Sequence, residues 1–185
     1  MKMKILRLVL ILLVVLGGVG LFLPYQSRSG EIRQNMLEDP DEIYIQEIDM
    51  TNEDAVDLSI FENFKIFKYM YSFADEMGGD ADWYKGEAII NIVFDGALVL
   101  SLIFMLIFAL SGKYIGLIVF DIIMIISTRL MNADLVSRGI LPDNDYSYGI
   151  SFYLYLIIGV AIFVISIISK VLSAKANKGG VDYES

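Results

Sequence analysis

Residues 88–110 read AIINIVFDGALVLSLIFMLIFAL, an apolar run broken only by Asn91, Asp95 and Ser101. About 20 helical residues cross a hydrocarbon core of about 30 Å, so this stretch reads as a membrane span rather than the core helix of a soluble domain. Three further runs share its character. Residues 5–23 follow Lys2 and Lys4, contain Arg7 and stop at Pro24. Residues 114–131 follow Lys113 and enclose Asp121 and Arg129, and residues 148–172 carry no charge before Lys170. The expected fold is therefore an all-α integral membrane protein, a four-transmembrane-helix bundle. Composition agrees: of 185 residues 56% are apolar and 20% charged, with a mean hydropathy of +0.62, more apolar surface than a soluble core of this size can hide.

The chain has no cysteine and no histidine. Cysteine- or histidine-based zinc sites, histidine-held haem, a cysteine nucleophile, Ser-His-Asp arrangements and disulfides are all excluded. Asp80-x-Asp82 and Asp143-x-Asp145 resemble the start of a calcium loop, but Lys85 and Tyr148 stand where its glycine is needed. No metal, no cofactor and no enzymatic activity are expected.

Orientation follows from Lys and Arg near the segment ends, which cytoplasmic flanks retain. Lys2, Lys4 and Arg7, the Lys113 turn, and a tail 173–185 with Lys175 and Lys178 after Lys170 form one basic side. Residues 24–87 carry 5 basic and 16 acidic side chains, a net charge of −11. Both termini are thus expected in the cytoplasm, with loops 24–87 and 132–147 outside it. Trp83, Tyr84, Tyr146, Tyr148, Tyr153 and Tyr155 suit the outer aromatic belt. The basic start and Ser27 and Ser29 beyond the first run allow a competing reading of that run as a cleaved signal peptide; its length and the lack of a close A-x-A-like site favour an anchor. A large outer loop without cysteine or an N-x-[ST] sequon points to a bacterial plasma membrane.

Within residues 24–87, positions 25–42 read as polar, acidic loop, and the alternation around Ile43 and Ile45 as one short strand. Thr51 with Asp54, and Ser59 with Glu62, have capping-box spacing. The second opens an amphipathic helix over about 60–77, with Gly78-Gly79 as its stop and Pro142 and Asp145 as the turn and cap before the fourth span. Phe61, Phe64, Phe67 and Tyr71 give that helix a broad aromatic side. Its cover is the rest of the loop and the bundle tops, a protein partner, or the outer leaflet; an exposed aromatic patch of this kind is the candidate partner-binding face.

Ionisable groups inside spans are costly, by about 2.5–3.5 kcal/mol on insertion scales, and demand an explanation. Glu87, Asn91 and Asp95 fall on one helical face, and Asp121, Ile125, Thr128 and Asn132 on another, with Arg129 about 80° round at 100° per residue. Helix rise puts Asp95 nearer in depth to Arg129 than to Asp121, so an Asp95–Arg129 ion pair is the expected structural use. The stripe Ser151, Tyr155, Gly159, Ile162, Ser166, Ser169, Ser173 and the pair Gly112-x-x-x-Gly116 are small-residue faces suited to close helix contact or a homo-oligomer.

Two resemblances follow from these features. Phe94-Asp95-Gly96 and Phe120-Asp121 resemble the paired carboxylates of intramembrane aspartyl proteases, but Leu117, Ile118, Val119 and Phe120 replace that family's GxGD lead-in. Four spans with a large first outer loop and a small second one resemble the claudin-like arrangement, a four-helix bundle capped by a small extracellular domain. That loop signature of Trp and paired Cys is absent, Trp83 being the single tryptophan, so the junction-forming role does not carry over. The expected function is a non-enzymatic membrane protein displaying an acidic extracytoplasmic domain to a protein or envelope component, as accessory subunits, immunity proteins and sensors do. The alternative is a small transporter or channel component with a cleft lined by Asp95, Asp121 and Arg129. Nucleic-acid binding is disfavoured by the few basic residues.

Overall fold

The computed structural model describes residues 2–78, 81–141 and 146–179, so Gly79, Asp80, Pro142, Asp143 and Asp145 lie outside the described residues. Four helices are long and apolar enough to cross a membrane: α1 (Lys2–Gly20), α5 (Asp82–Ser111), α6 (Tyr114–Ser137) and α7 (Ile150–Gly179). They close into a ring in which α5 packs on α1 and α6, and α7 packs on α6 and α1. Gly112, at φ 68°, ends α5 in the left-handed conformation that glycine adopts without steric cost and turns the chain into α6. The start of α1, the Gly112 turn and the end of α7 share one end of the bundle; the segment between α1 and α5 covers the other, the domain end.

That segment is more ordered and more β-structured than its composition suggests. Residues 25–42, read from sequence as loop, form β1 (Pro24–Arg28) and α2 (Gly30–Glu38). After them come β2 (Ile43–Ile45), a 3-10 turn, β3 (Met50–Thr51), α3 (Asn52–Val56), β4 (Asp57–Ser59) and α4 (Ile60–Met77). The segment is still mainly helical, but the expectation of one short strand is corrected, since four strands form in it. The strand at Ile43 pairs with β3, and a second, three-stranded antiparallel sheet has the order β4-β1-β5, where β5 is Tyr146–Tyr148 in the other inter-helix segment. Gln26 of β1 lies opposite Leu58 of β4 and Tyr148 of β5. One sheet therefore ties both segments at the domain end together, which no local pattern announces, because pairing is set by partners far away in sequence.

Both capping boxes form. Thr51 and Asp54 exchange bonds at the start of α3; Ser59 and Glu62 do so at α4, with the Ser59 amide donating to Glu62 Oε2 at 2.7 Å. Helix α4 then runs antiparallel to α5 and is covered on two sides. Ile60, Phe67 and Ala74 are buried, while Ile66 joins a small domain core of Met36, Met50, Ala55, Val56 and Leu58. Asn63, also buried, accepts from Gln26 Nε2 at 2.8 Å and locks α4 to β1. The bundle and the domain thus supply most of the helix's cover, and Phe61 and Phe64 stay half-exposed.

The small-residue faces are used within the chain. Ser151, Tyr155, Gly159, Ile162, Ser166 and Ser169 are buried, and a Cβ on Gly159 would stand 2.9 Å from Ile125 Cγ1. On the other pair, a Cβ on Gly116 would meet the Phe108 ring at 2.8 Å. Close approach of α6 to α5 and α7 needs both glycines.

Candidate functional site

The polar face of α5 descends in three steps from the domain end, and each step has different company. At the top Glu87 accepts from Arg138 Nη1 at 3.2 Å, and Arg138 Nη2 bonds Asp134 one turn back on α6. One turn lower, Asn91 donates to the Glu87 carbonyl at 3.0 Å and to Asp134 Oδ2 at 2.9 Å. The Arg138 guanidinium also lies over the Phe67 ring, 5.7 Å from its centroid. Five side chains, largely shielded from solvent, therefore join α4, α5 and α6 at one point. Sequence reading missed Asp134 and Arg138 because the third span was ended at residue 131, whereas α6 continues to Ser137; their i, i+4 spacing was the available signal.

One further turn down, the pattern breaks. Asp95 is 2% exposed, and neither carboxyl oxygen has a hydrogen-bond partner. The expected ion pair with Arg129 does not form: among the described residues Asp95 has no salt bridge, and the Arg129 guanidinium instead lies 5.6 Å from the Phe152 ring centroid. The reason is azimuthal. Asp95 lines a groove toward α1 and α4, while Arg129 borders the α6–α7 seam beside Thr128 and Tyr155.

Two buried tyrosines bracket this level of the bundle. Tyr25 donates to the Thr128 carbonyl at 3.2 Å, and Tyr155 donates to the Gly17 carbonyl at 3.1 Å. Burial pushes the Tyr25 phenol far above its ordinary range; Arg129 pulls it down, and Tyr148 and Asp95 push it up. Both hydroxyl protons are committed to backbone, so neither reaches Asp95. Thr128 turns its own hydroxyl to the Met124 and Ile125 carbonyls at 3.1 and 2.9 Å, a local use that leaves no donor free.

Asp121 is 0% exposed, and both its oxygens also lack a partner. It belongs to a different part of the bundle. Counted from the Gly112 turn, Asp95 and Asp121 differ in depth by about 12 Å at 1.5 Å per residue. Buried Leu98, Leu102, Met105 and Met124 occupy the bundle interior around and between these levels. The two carboxyls are not brought together as a pair.

The groove beside Asp95 has a volume of about 450 Å³. Leu21, Phe22, Phe61 and Phe64 form its walls, and Asp95, Gly96 and Leu100 form the α5 side. It exists because α1 ends where α4 begins: the Phe61 amide donates to the Leu21 carbonyl at 3.2 Å, and the Phe22 and Phe61 rings lie 5.6 Å apart. Of the aromatic residues read from sequence as one face, Phe61 and Phe64 line this groove. Phe67 is buried under Arg138, and Tyr71 packs below Lys85, whose Nζ is 5.1 Å from the ring centroid. Among the described residues no group of three or more acidic side chains is placed to hold a metal ion. No protein-family model, no curated protein and no solved structure matches the chain.

Proposed function

We propose that this is a non-enzymatic multi-pass protein of a bacterial plasma membrane, whose segment 24–87 lies outside the cytoplasm and binds a basic protein or envelope component. The observation that carries the reading is the surface of that domain. Glu38, Asp39, Asp41, Glu42, Glu47 and Glu53 are exposed around the exposed apolar side chains of Leu37, Ile43 and Tyr44, on the edge formed by α2 and β2. An apolar patch with a charged rim is the usual anatomy of an interaction surface, and here the rim selects a positively charged partner. The domain is also held rigidly to the bundle by the three-stranded sheet and the Arg138 cluster, as a displayed platform must be.

Crosslinking in intact cells tests this directly. A variant with Glu38→Lys, Asp41→Lys and Glu47→Lys should keep its abundance and lose the adducts that the wild type forms; unchanged adducts would remove the acidic rim from the reading. Because the chain has no cysteine, a single Glu47→Cys substitution reports topology. Labelling of intact cells by a membrane-impermeant maleimide is expected, and protection until lysis would reverse the orientation.

A second reading, ion or proton transport, is favoured by the two carboxyls without partners. The apolar packing around and between Asp95 and Asp121 opposes it. Reconstituted wild-type protein is expected to show no flux of protons or alkali cations. A flux abolished by Asp121→Asn in a folded protein would make transport the leading reading.

A further inference from the structure

The segment between α1 and α5 carries a net charge of −11, yet the few cations at the domain end are not all spent on its carboxylates. Arg33 is paired with Asp57, Lys85 with Asp75, and Arg138 with Glu87 and Asp134. Arg28 donates to the Tyr44 hydroxyl at 2.7 Å. Among the described residues Lys65, Lys68 and Arg129 have no ion pair, and all three are exposed. Glu47 and Glu76 line the same cleft as the two lysines and pair with neither, so both ammonium groups remain available.

Depth is what the three cations share. With the Gly112 turn as the far face of the membrane, Arg129 stands about 25 Å up α6 at 1.5 Å per residue. Lys85 stands about 40 Å up α5 on the same count, and its ion pair with Asp75 brings that point of α4 level with it. Because α4 runs antiparallel to α5, Lys68 and Lys65 then lie about 30 and 25 Å up. A hydrocarbon core of about 30 Å ends at that level, so all three backbones sit within about 5 Å of its domain-side face. Long basic side chains span that distance, with their stems in hydrocarbon and their charged ends among the headgroups. Aromatic rings mark the same level. Phe152, whose ring centroid is 5.6 Å from the Arg129 guanidinium, stacks on Tyr148 at 4.3 Å and meets Tyr153 edge-on at 5.2 Å, an arrangement suited to the membrane interface.

Position selects the partner. A water-soluble acidic peptide does not reach cations whose backbones lie at or below the hydrocarbon face, whereas lipid phosphates lie in that plane all round the bundle. Arg129 can take a phosphate through two parallel N–H donors, and each lysine through its ammonium. Net-negative lipids gain most, since the ammonium of a zwitterionic headgroup already answers its own phosphate. We propose that Lys65, Lys68 and Arg129 form a rim that binds the phosphates of anionic phospholipids in the domain-side leaflet, seating the domain on the membrane at α4 and at the α6–α7 seam. The rim is independent of whatever the acidic face binds.

The test uses the full chain in phosphatidylcholine nanodiscs doped with tail-labelled pyrenyl phosphatidylglycerol or pyrenyl phosphatidylcholine. Trp83 is the single tryptophan and stands at the domain end, so energy transfer from it reports on lipids of that leaflet. Titration should show a preference of roughly fivefold for phosphatidylglycerol, the gain expected of one cation beside an anionic lipid. Lys65→Gln, Lys68→Gln and Arg129→Gln together should abolish it. The two lysine changes alone, outside the four-helix bundle, should lower it, which keeps the test decisive if Arg129→Gln disturbs the bundle. Lys170→Gln with Lys175→Gln, at the other end, should leave it unchanged. Equal transfer to both lipids in the wild type, a preference that survives the triple change, or one removed by the Lys170 and Lys175 changes would overturn the proposal. Competition by soluble glycerol phosphate would overturn it in favour of a site for a free phosphate.

Discussion

The domain end of α5 and the stretch one to three turns deeper treat charge in opposite ways. At the end, Glu87, Asn91, Asp134 and Arg138 bond one another across two helices, with the Phe67 ring of a third against the guanidinium. Deeper, Asp95 on α5 and Asp121 on α6 are as well buried and have no donor at all. The lesson is that burial alone does not classify an intramembrane charge. A clamped cluster is explained by what it holds together, whereas an unpartnered carboxyl asks what else reaches it. Asp95 borders an apolar groove at the junction of α1 and α4, while Asp121 lies in the closed bundle.

Four outcomes would break or sharpen this contrast. The largest concerns Arg138. Arg138→Met leaves Glu87 and Asp134 facing each other without a counter-charge, and breaking a buried pair in this way should cost about 3 kcal/mol in detergent unfolding measurements. A loss well under 1 kcal/mol would mean that water already solvates the cluster and that the two regions do not differ. Second, Gly149→Ala should cost about 2 kcal/mol, because a Cβ would lie 2.2 Å from the Pro24 carbonyl oxygen and the backbone of β1 cannot yield as a side chain can. The Gly149 amide also donates to the Tyr25 carbonyl at 2.8 Å, so the same change loosens the sheet that joins the domain to the bundle. The thermal midpoint and protease resistance of residues 24–87 would report it.

Third, Asp121→Asn should raise stability by about 1 kcal/mol, since it removes a potential charge from a site with no counter-charge and keeps the shape. A destabilised Asp121→Asn protein would reveal a bound partner at Asp121 and erase its difference from the cluster above. The smallest effect lies in the domain itself. Arg33 bonds both oxygens of Asp57 at 2.8 Å, and these bonds hold the Asp57 carboxyl below the usual carboxylate range against the opposing effect of burial. Its folded pKa is therefore depressed. The stability it contributes is present at neutral pH and is lost as pH falls below about 4, the ordinary carboxylate value. With a third of each side chain exposed, the contribution stays below about 1 kcal/mol. The stability difference between wild type and Asp57→Asn should shrink from pH 6 to pH 3; a constant difference would show that the pair is screened.

The four spanning helices, the start of α4 and its glycine stop were legible in the sequence because each is encoded locally. An apolar run of sufficient length makes a span, and Ser59 and Glu62, three residues apart, satisfy each other's backbone donors whatever else the chain does. The site was legible only as residue types at the right depths. Asp95 and Arg129 are near in depth, yet which neighbour an inward side chain meets depends on how each helix is rotated in the bundle, and that is fixed by packing around Gly116 and Gly159. The pairing of Pro24–Arg28 with strands on both sides and the end-to-end meeting of α1 and α4 join positions that are distant along the chain. Local sequence thus determined which segments cross the membrane and where their helices begin. Tertiary structure alone decided which carboxyl is left without a partner beside a groove, because that depends on contacts between segments whose sequences carry no record of one another.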